Sequence, residues 1–365
     1  MSQAEAIWAA GTMSGTSLDG IDLALLKTDG TDIVEFGPSG YRPYSSDEHT
    51  ALRHALGTWP TEGSNAQAFA LDVVQESHLA ALNGVNADII GFHAQTLNHD
   101  PGSQRTFQLG DGAALAKTLG RPVAWDFRSA DVAAGGEGAP LAPLFHDAVA
   151  RWAQLSGTVA FLNLGGVGNI TWIREVGEDP LADGAVLAFD TGPANAPIND
   201  LMQKHYGRPF DAGAKVAESG QSDAHHEGAL LDHPYFKRAI PKSLDRDTFS
   251  SAVEDLSDLP PENAVATATA WVSRSVEDGI SRLPSAPETV FVCGGGRHNP
   301  KIMRDLAARL AADIHPVEYI GVDGDMLEAN AFAYLAVRVQ HGLPLSLPGT
   351  TGVPYPMPGG RISVP

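Results

Sequence analysis

The chain has 365 residues, enough for about two domains, and its 43% hydrophobic content places the bulk of it outside the disordered class. Its 44 acidic residues against 24 basic ones leave a net charge of −20, a field that excludes nucleic acid and anionic membrane as partners. Cys293 is the only cysteine, no apolar run reaches membrane-spanning length and no leader pattern opens the chain, so a cytoplasmic setting is expected.

In chain order, Ile7 to Ala10 reads as a strand running in and Ile21 to Leu26 as a strand running out. Between them lies a glycine, serine and threonine turn, Gly11 to Gly20. Glycines 11, 15 and 20 permit positive φ and close backbone approach, and such a turn can present amides to phosphate oxygens. Asp19 and Asp22 would repel phosphate directly, but they suit a magnesium ion shared with it. Thr31 to Gly40 is expected to extend the sheet, and Ser45 to Leu56 opens with a helix capping signal. Ser64 to Asn83 follows as a helix with Phe69, Val73, Leu79 and Leu82 on its apolar face. Ala87 to Phe92 reads as a buried strand ending in His93, Gln95, Thr96 and His99, polar residues placed to contact a ligand. Asp111 to Leu119 is helical and Pro122 to Trp125 a strand carrying Asp126 and Arg128 at its end. Gly135 to Pro140 has hinge composition, Pro140 is placed as the first residue of a helix through Ala150, and the domain boundary is set there.

Thr158 to Leu164, the turn Gly165-Gly166-Val167-Gly168 and Asn169 to Ile173 repeat the opening strand–turn–strand device about 150 residues on, which suggests a duplicated pair of domains. Val186 to Phe189 is a strand stopping at Asp190, where either a mechanism-bearing acid or a helix cap is expected. Asn263 to Leu283 is a long amphipathic helix. Thr289 to Cys293 then runs into Gly294-Gly295-Gly296, which suits a phosphate or a flat purine, with Asn299-Pro300 starting the helix Lys301 to Ala312. Glu328 sits in the first turn of a helix to Val339, and the tail from Leu343 to Pro365 offers no regular element. Nucleotide-binding, zincin and paired-cysteine signatures of the common kinds are absent, and His225-His226 is assigned no metal.

Taken together, Met13 to Asp22, the Gly-Glu-Gly-Ala-Pro-Leu run ending at Leu141, Asp190-Thr191-Gly192-Pro193 and Val292 to Gly296 resemble the anhydro-N-acetylmuramic acid kinases in the right order from residue 7 to about 340. The resemblance implies an α/β chain of two duplicated actin-like, ribonuclease H-like domains around a nucleotide cleft. Residues 1–138 with 352–365 would form the first, and 139–351 the second. It implies ATP and magnesium as cofactors and a sugar substrate, 1,6-anhydro-N-acetylmuramic acid. Its bridge is hydrolysed and its O6 phosphorylated, so that cell-wall sugar is recovered. Oligomeric state is left open, with a homodimer as the candidate assembly.

Residue by residue, the resemblance puts ATP phosphates on Gly15, Thr16, Ser17, Leu18, Asp19, Gly20, Ile21 and Asp22, with magnesium at Asp19 and Asp22. It puts a second phosphate turn on Gly165, Gly166 and Asn169, and adenosine near Gly294, Gly295 and Gly296. Asp190 becomes the catalytic base, with Glu328 at a matching acidic position. His93, Gln95, Thr96, Asp126 and Arg128 match the sugar side. The pattern departs at Ala94, where glycine is usual, at Glu137, and at Ala194. Two other readings are kept: a kinase of the same superfamily acting on another sugar or a carboxylate, and a non-catalytic nucleotide clamp of the actin or chaperone type.

Overall fold

The computed structural model describes residues 4–60 and 65–365, and it divides into two compact units, residues 1–154 with 326–365 and residues 155–325. The expected start of the second helix at Ser64 lies outside the described residues.

The first unit is built on strands β1 (Ile7–Ser14), β2 (Gly20–Thr28), β3 (Ile33–Pro43), β4 (Ile89–Asp100), β5 (Arg105–Leu109) and β6 (Val123–Trp125). β1, β2 and β3 form an antiparallel meander, β4 adds parallel to β1 and β6 parallel to β4. The second unit uses β7 (Val159–Leu164), β8 (Val167–Ile173), β9 (Val186–Pro193), β10 (Thr289–Cys293) and β11 (Asp313–Pro316). Its order is β11-β10-β7-β8-β9, with β7, β8 and β9 antiparallel and β10 and β11 added in parallel. The two sheets therefore share one order and one set of directions, the duplication that the paired glycine turns suggested.

The boundary falls after Gln154 and not near Pro140. The helix Pro143–Trp152 stays with the first unit because its aromatic face packs there: Phe36 meets Trp152 edge-on at 4.7 Å, and Arg151 pairs with Asp32. The proline at this helix's first position is Pro143, while Pro140 follows a cis peptide bond. The second boundary lies just before the helix Leu327–Gln340, which packs on β1, β2 and β4. Two glycines make that packing close. A Cβ on Gly11 would stand 1.9 Å from the Ala329 carbonyl oxygen, and one on Gly91 would stand 2.1 Å from that of Phe332.

Other expectations shift. The helix Asn65–Leu82 buries Val73 and Leu82, but Phe69 is exposed. The tail is not irregular: β12 (Pro344–Ser346) pairs with β13 (Met357–Pro358), and β14 (Arg361–Ser363) pairs antiparallel with β6, closing the edge of the first sheet. No helix among the described residues is long and apolar enough to cross a membrane.

Two buried histidines set a pH dependence for stability. Burial pushes His78 down to about 4 and His146 down to about 3. An unfolded histidine takes up its proton near pH 6.5, whereas the folded chain must hold both rings neutral, so stability is present above that pH and drains away as pH falls towards 4. The expected slope is about 1.4 kcal/mol per pH unit for each ring inside that window. Thermal unfolding followed from pH 7 to pH 4.5 checks it, and a melting temperature that rises on acidification would refute it.

Candidate active site

In the first unit, the turn joining β1 to β2 leaves Thr16, Ser17 and Asp19 exposed while Leu18 is buried beneath it. The left-handed residue of the turn is Leu18, at φ 57°, and not one of the glycines. Leu18 tolerates the strain because its side chain fills the core there and its amide donates to the Gly15 carbonyl at 3.2 Å. Gly11 and Gly20 lie inside strands, and Ile21 is a core residue of β2.

A buried hydrogen-bond chain props this turn from below. Burial pushes the Tyr44 phenol up to about 12, and because the one Ser14 proton goes to Gln95, the phenol is the donor to the Ser14 hydroxyl at 2.9 Å. Ser14 donates to Gln95 Oε1 at 2.6 Å, and Gln95 Nε2 donates to the Gly15 carbonyl at 3.3 Å. Gln95 is fully buried, and its amide is shared between this turn and the Thr96 carbonyl, to which Nε2 donates at 3.2 Å. Ser14 and Tyr44 are supports that the sequence reading did not single out. Above the turn, the Asp19 carbonyl accepts from the Tyr41 hydroxyl and the Tyr44 amide, and its carboxylate accepts from Ser17 at 2.7 Å. Asp22 stands opposite Tyr41 in the ladder, and both Asp19 and Asp22 help raise the Tyr41 pKa, after burial as the first cause.

His93, Gln95 and Thr96 lie inside β4, which runs on to Asp100 and pairs with β5, so the polar cluster is within the strand and not at its end. Thr96 accepts from Gln108 at 3.4 Å. Ala94, within β4, adopts φ 65°, a left-handed backbone in mid-strand. His93 is buried, and burial together with the Arg128 charge holds its pKa well below the ordinary value. Its partners fix the tautomer: the Ala94 carbonyl can only accept from Nδ1 at 2.9 Å, and the Arg128 Nη2 can only donate to Nε2 at 2.9 Å. Arg128 also donates from Nη1 to the Gly138 carbonyl at 2.7 Å. Desolvation lowers the Arg128 pKa, and the largest opposing influence is the charge of Glu328, exposed in the first turn of the Leu327–Gln340 helix. Phe332 from the next turn of that helix packs against the His93 ring at 4.5 Å. The structure thus gathers His93, Arg128 and Glu328. Asp126, at φ 55°, points elsewhere and pairs with Arg361 of β14 at 2.8 Å.

In the second unit, the carbonyls of Gly165 and Gly166 accept from the amides of Asn195, Ala194 and Ala196, tying the β7–β8 turn to the start of the helix Asn195–Tyr206. Asn169 faces Asn163 on one side and Asp190 on the other, beside a bulge at Gly168. The three glycines after β10 pack on the same turn. Gly294 has φ 69°, and a Cβ there would lie 2.3 Å from Asn163 Oδ1 and 2.8 Å from the Leu164 carbonyl carbon, so the backbone approaches where no side chain fits. Arg297, buried behind them, bonds the Gly294 carbonyl at 3.0 Å and pairs with Glu318 and Asp325 at 2.8 Å each.

Asp190 is not a helix cap. β9 continues through it to Pro193, and the helix that follows is capped by Ala194 without a side-chain bond. Its Oδ2 accepts from the Leu244 amide at 2.7 Å, its own amide donates to the Lys242 carbonyl at 2.9 Å, and the Tyr235 hydroxyl donates to its carbonyl. Tyr235, Lys242 and Leu244 were missed because they lie some fifty residues on in an irregular stretch. The available signal was Lys242 in an apolar context, since a lysine that folds inward needs a reason.

The family model described as anhydro-N-acetylmuramic acid kinase matches residues 8–363. The chain is 54% identical over 363 residues to the anhydro-N-acetylmuramic acid kinase of Cereibacter sphaeroides, covering 99% of this chain and 97% of that one. It is 51% identical over 369 residues to the enzyme of that name from Ruegeria, covering 100% and 97%. Among solved structures, a ROK family glucokinase from Streptomyces griseus is similar at a TM-score of 0.40 and 12% identity, over 90% of this chain and 99% of that one.

Proposed function

The chain belongs to the anhydro-N-acetylmuramic acid kinase family and is an ATP-dependent sugar kinase; from that premise we propose that Asp190 is the general base that activates water for opening the 1,6-anhydro bridge. The reaction consumes ATP, water and 1,6-anhydro-N-acetylmuramic acid and yields N-acetylmuramic acid 6-phosphate and ADP. The observation that carries the assignment is the Asp190 carboxylate in mid-strand beside the Gly168 bulge, with one oxygen fixed by the Leu244 amide and no cap to serve. Asp190 takes a proton from water as its oxygen attacks the anomeric carbon. The bond from that carbon to the bridging oxygen breaks, and this oxygen receives the γ-phosphoryl group, which takes the place of a general acid.

The remaining residues bind and orient. Gly15, Thr16, Ser17, Leu18 and Gly20 with Gly165, Gly166 and Asn169 form the two phosphate turns in this reading, and Gly294 to Gly296 lie near the adenosine. Neutral His93, Arg128 and Thr96 contact the sugar and Glu328 assists there, while Gln95 acts through the turn that it props and Asp126 through its hold on the tail. A cytoplasmic setting is part of the proposal, supported by ATP as co-substrate and by the single buried Cys293.

Magnesium fits the donor set at Asp19 and Asp22: an exposed carboxylate and a second that shares with it the neighbourhood of Tyr41, with phosphate and water to complete the shell. Among the described residues, no cluster of three or more acids, histidines or cysteines could hold an ion without such help. When bound, it neutralises charge on the transferring phosphate. Asp19→Asn is therefore expected to raise the magnesium concentration needed for half-maximal turnover by about tenfold, with an unchanged melting temperature. Superimposable magnesium titrations for the two proteins would remove Asp19 from the ion's shell.

The direct test of the proposed reaction is purified protein with ATP, magnesium and 1,6-anhydro-N-acetylmuramic acid, the product identified by mass. Absence of a ring-opened, phosphorylated sugar would overturn it.

A further inference from the structure

The stretch 235–244 closes on Asp190 from three directions: the Tyr235 hydroxyl at its carbonyl, the Lys242 carbonyl at its amide and the Leu244 amide at Oδ2. Lys242 anchors this stretch. Its side chain is buried, at 2% exposure, its Nζ donates to the Tyr235 carbonyl at 3.2 Å, and the same nitrogen stands 4.1 Å from the centre of the Tyr235 ring and 5.5 Å from that of Phe236. A methionine would fill the space without desolvating an ammonium, so the charge costs stability that packing alone does not require.

The charges facing Lys242 come from three parts of the unit: Asp278 on the helix Pro261–Ser281 with Arg282 just after its end, Arg238 in its own stretch and Asp190 on β9. Burial and the two arginines push Lys242 down to about 8, which leaves it mostly protonated at neutral pH, its charge favouring an ionised Asp190.

We infer that Lys242 is a positioning residue for Asp190. Its ammonium fixes Tyr235, the Tyr235 hydroxyl and the Lys242 carbonyl hold the Asp190 backbone, the Leu244 amide sets the direction of the carboxylate, and the lysine charge favours the ionised form. The inference rests on Asp190 as the base. It adds that base strength and aim are set by a lysine that does not touch substrate.

The test compares Lys242→Met, Tyr235→Phe and Asp190→Asn. Lys242→Met keeps the stem and removes the charge, so kcat should fall about tenfold while KM for ATP and sugar stay within threefold. The acidic limb of its kcat–pH profile should move to higher pH, because a carboxylate that loses a nearby cation holds its proton more tightly. Tyr235→Phe removes only the hydroxyl on the Asp190 carbonyl, and should lower kcat without moving that limb. A merely structural lysine would lower the melting temperature and leave the limb in place. Parental kcat and an unmoved limb in Lys242→Met, alongside an inactive Asp190→Asn, would overturn the positioning role alone. An active Asp190→Asn would overturn both assignments. Should Lys242→Met not fold, parental kcat in Tyr235→Phe would overturn the inference.

Discussion

Asp190→Asn is expected to lower turnover by about 10²-fold or more, with ATP and sugar affinities kept within a few-fold. The Leu244 amide that now donates to Oδ2 finds an acceptor in the asparagine oxygen, so the local fold survives the change. What is lost is proton acceptance, a property used in the transition state and hardly at all in ground-state binding. A cap would behave differently, since asparagine caps a helix about as well as aspartate, and the structure has already removed that reading by running β9 through Asp190. In ¹⁸O-labelled water the label should enter the anomeric hydroxyl and leave the phosphate unlabelled. Label in the phosphate, or parental turnover in the variant, would take Asp190 out of the reaction.

The second large effect is expected at Arg128. Arg128→Met strips the donor from His93 Nε2, releases the Gly138 carbonyl and removes the positive charge beside Glu328 in one step. A buried imidazole left without its donor and an acid left without its counter-charge should cost sugar recognition most, so kcat/KM for the sugar should fall about 10²-fold. KM for ATP should hold within threefold, because the turn at Gly15 is propped separately by Ser14, Tyr44 and Gln95. Arg128→Lys should recover only part of the loss, since an ammonium cannot reach His93 and Gly138 with one planar fork. Equal losses for ATP and sugar would place Arg128 in the scaffold and not at the sugar.

The parts of this molecule that could be read from residues alone are those where one local rule acts without competition. The hairpins β1–β2 and β7–β8 are apolar runs broken by glycine, and the Ser45–Glu48 capping box announces its helix. Where two rules compete, the sequence is silent. Pro140 and Pro143 are equally good helix starts by residue type, and only the packing of Phe145 and Trp152 on Phe36 selects the second. The apolar run stops at Phe92 and suggests a strand end there, yet β5 supplies a ladder that carries the strand on through the polar residues to Asp100. Asp190 stood out by its motif, and its mid-strand setting did not. Beyond the lysine at 242, nothing local marks the clamp at 235–244, since its three bonds to Asp190 join positions 45 to 54 residues apart.

The order in which the polypeptide is made gives the helix Leu327–Gln340 a further consequence. Residues 155–325 are contiguous, so the second unit is complete in sequence as soon as Asp325 has left the ribosome. The first unit begins earlier and finishes later. Its β1 and β4 hold open the places beside Gly11 and Gly91 until a helix from the far end of the chain arrives, and β6 stays an unpaired edge until Arg361–Ser363 is synthesised. A nascent chain halted before residue 326 thus carries a finished second unit and an unfinished first one, its glycine groove and sheet edge open to chaperones or to other nascent chains.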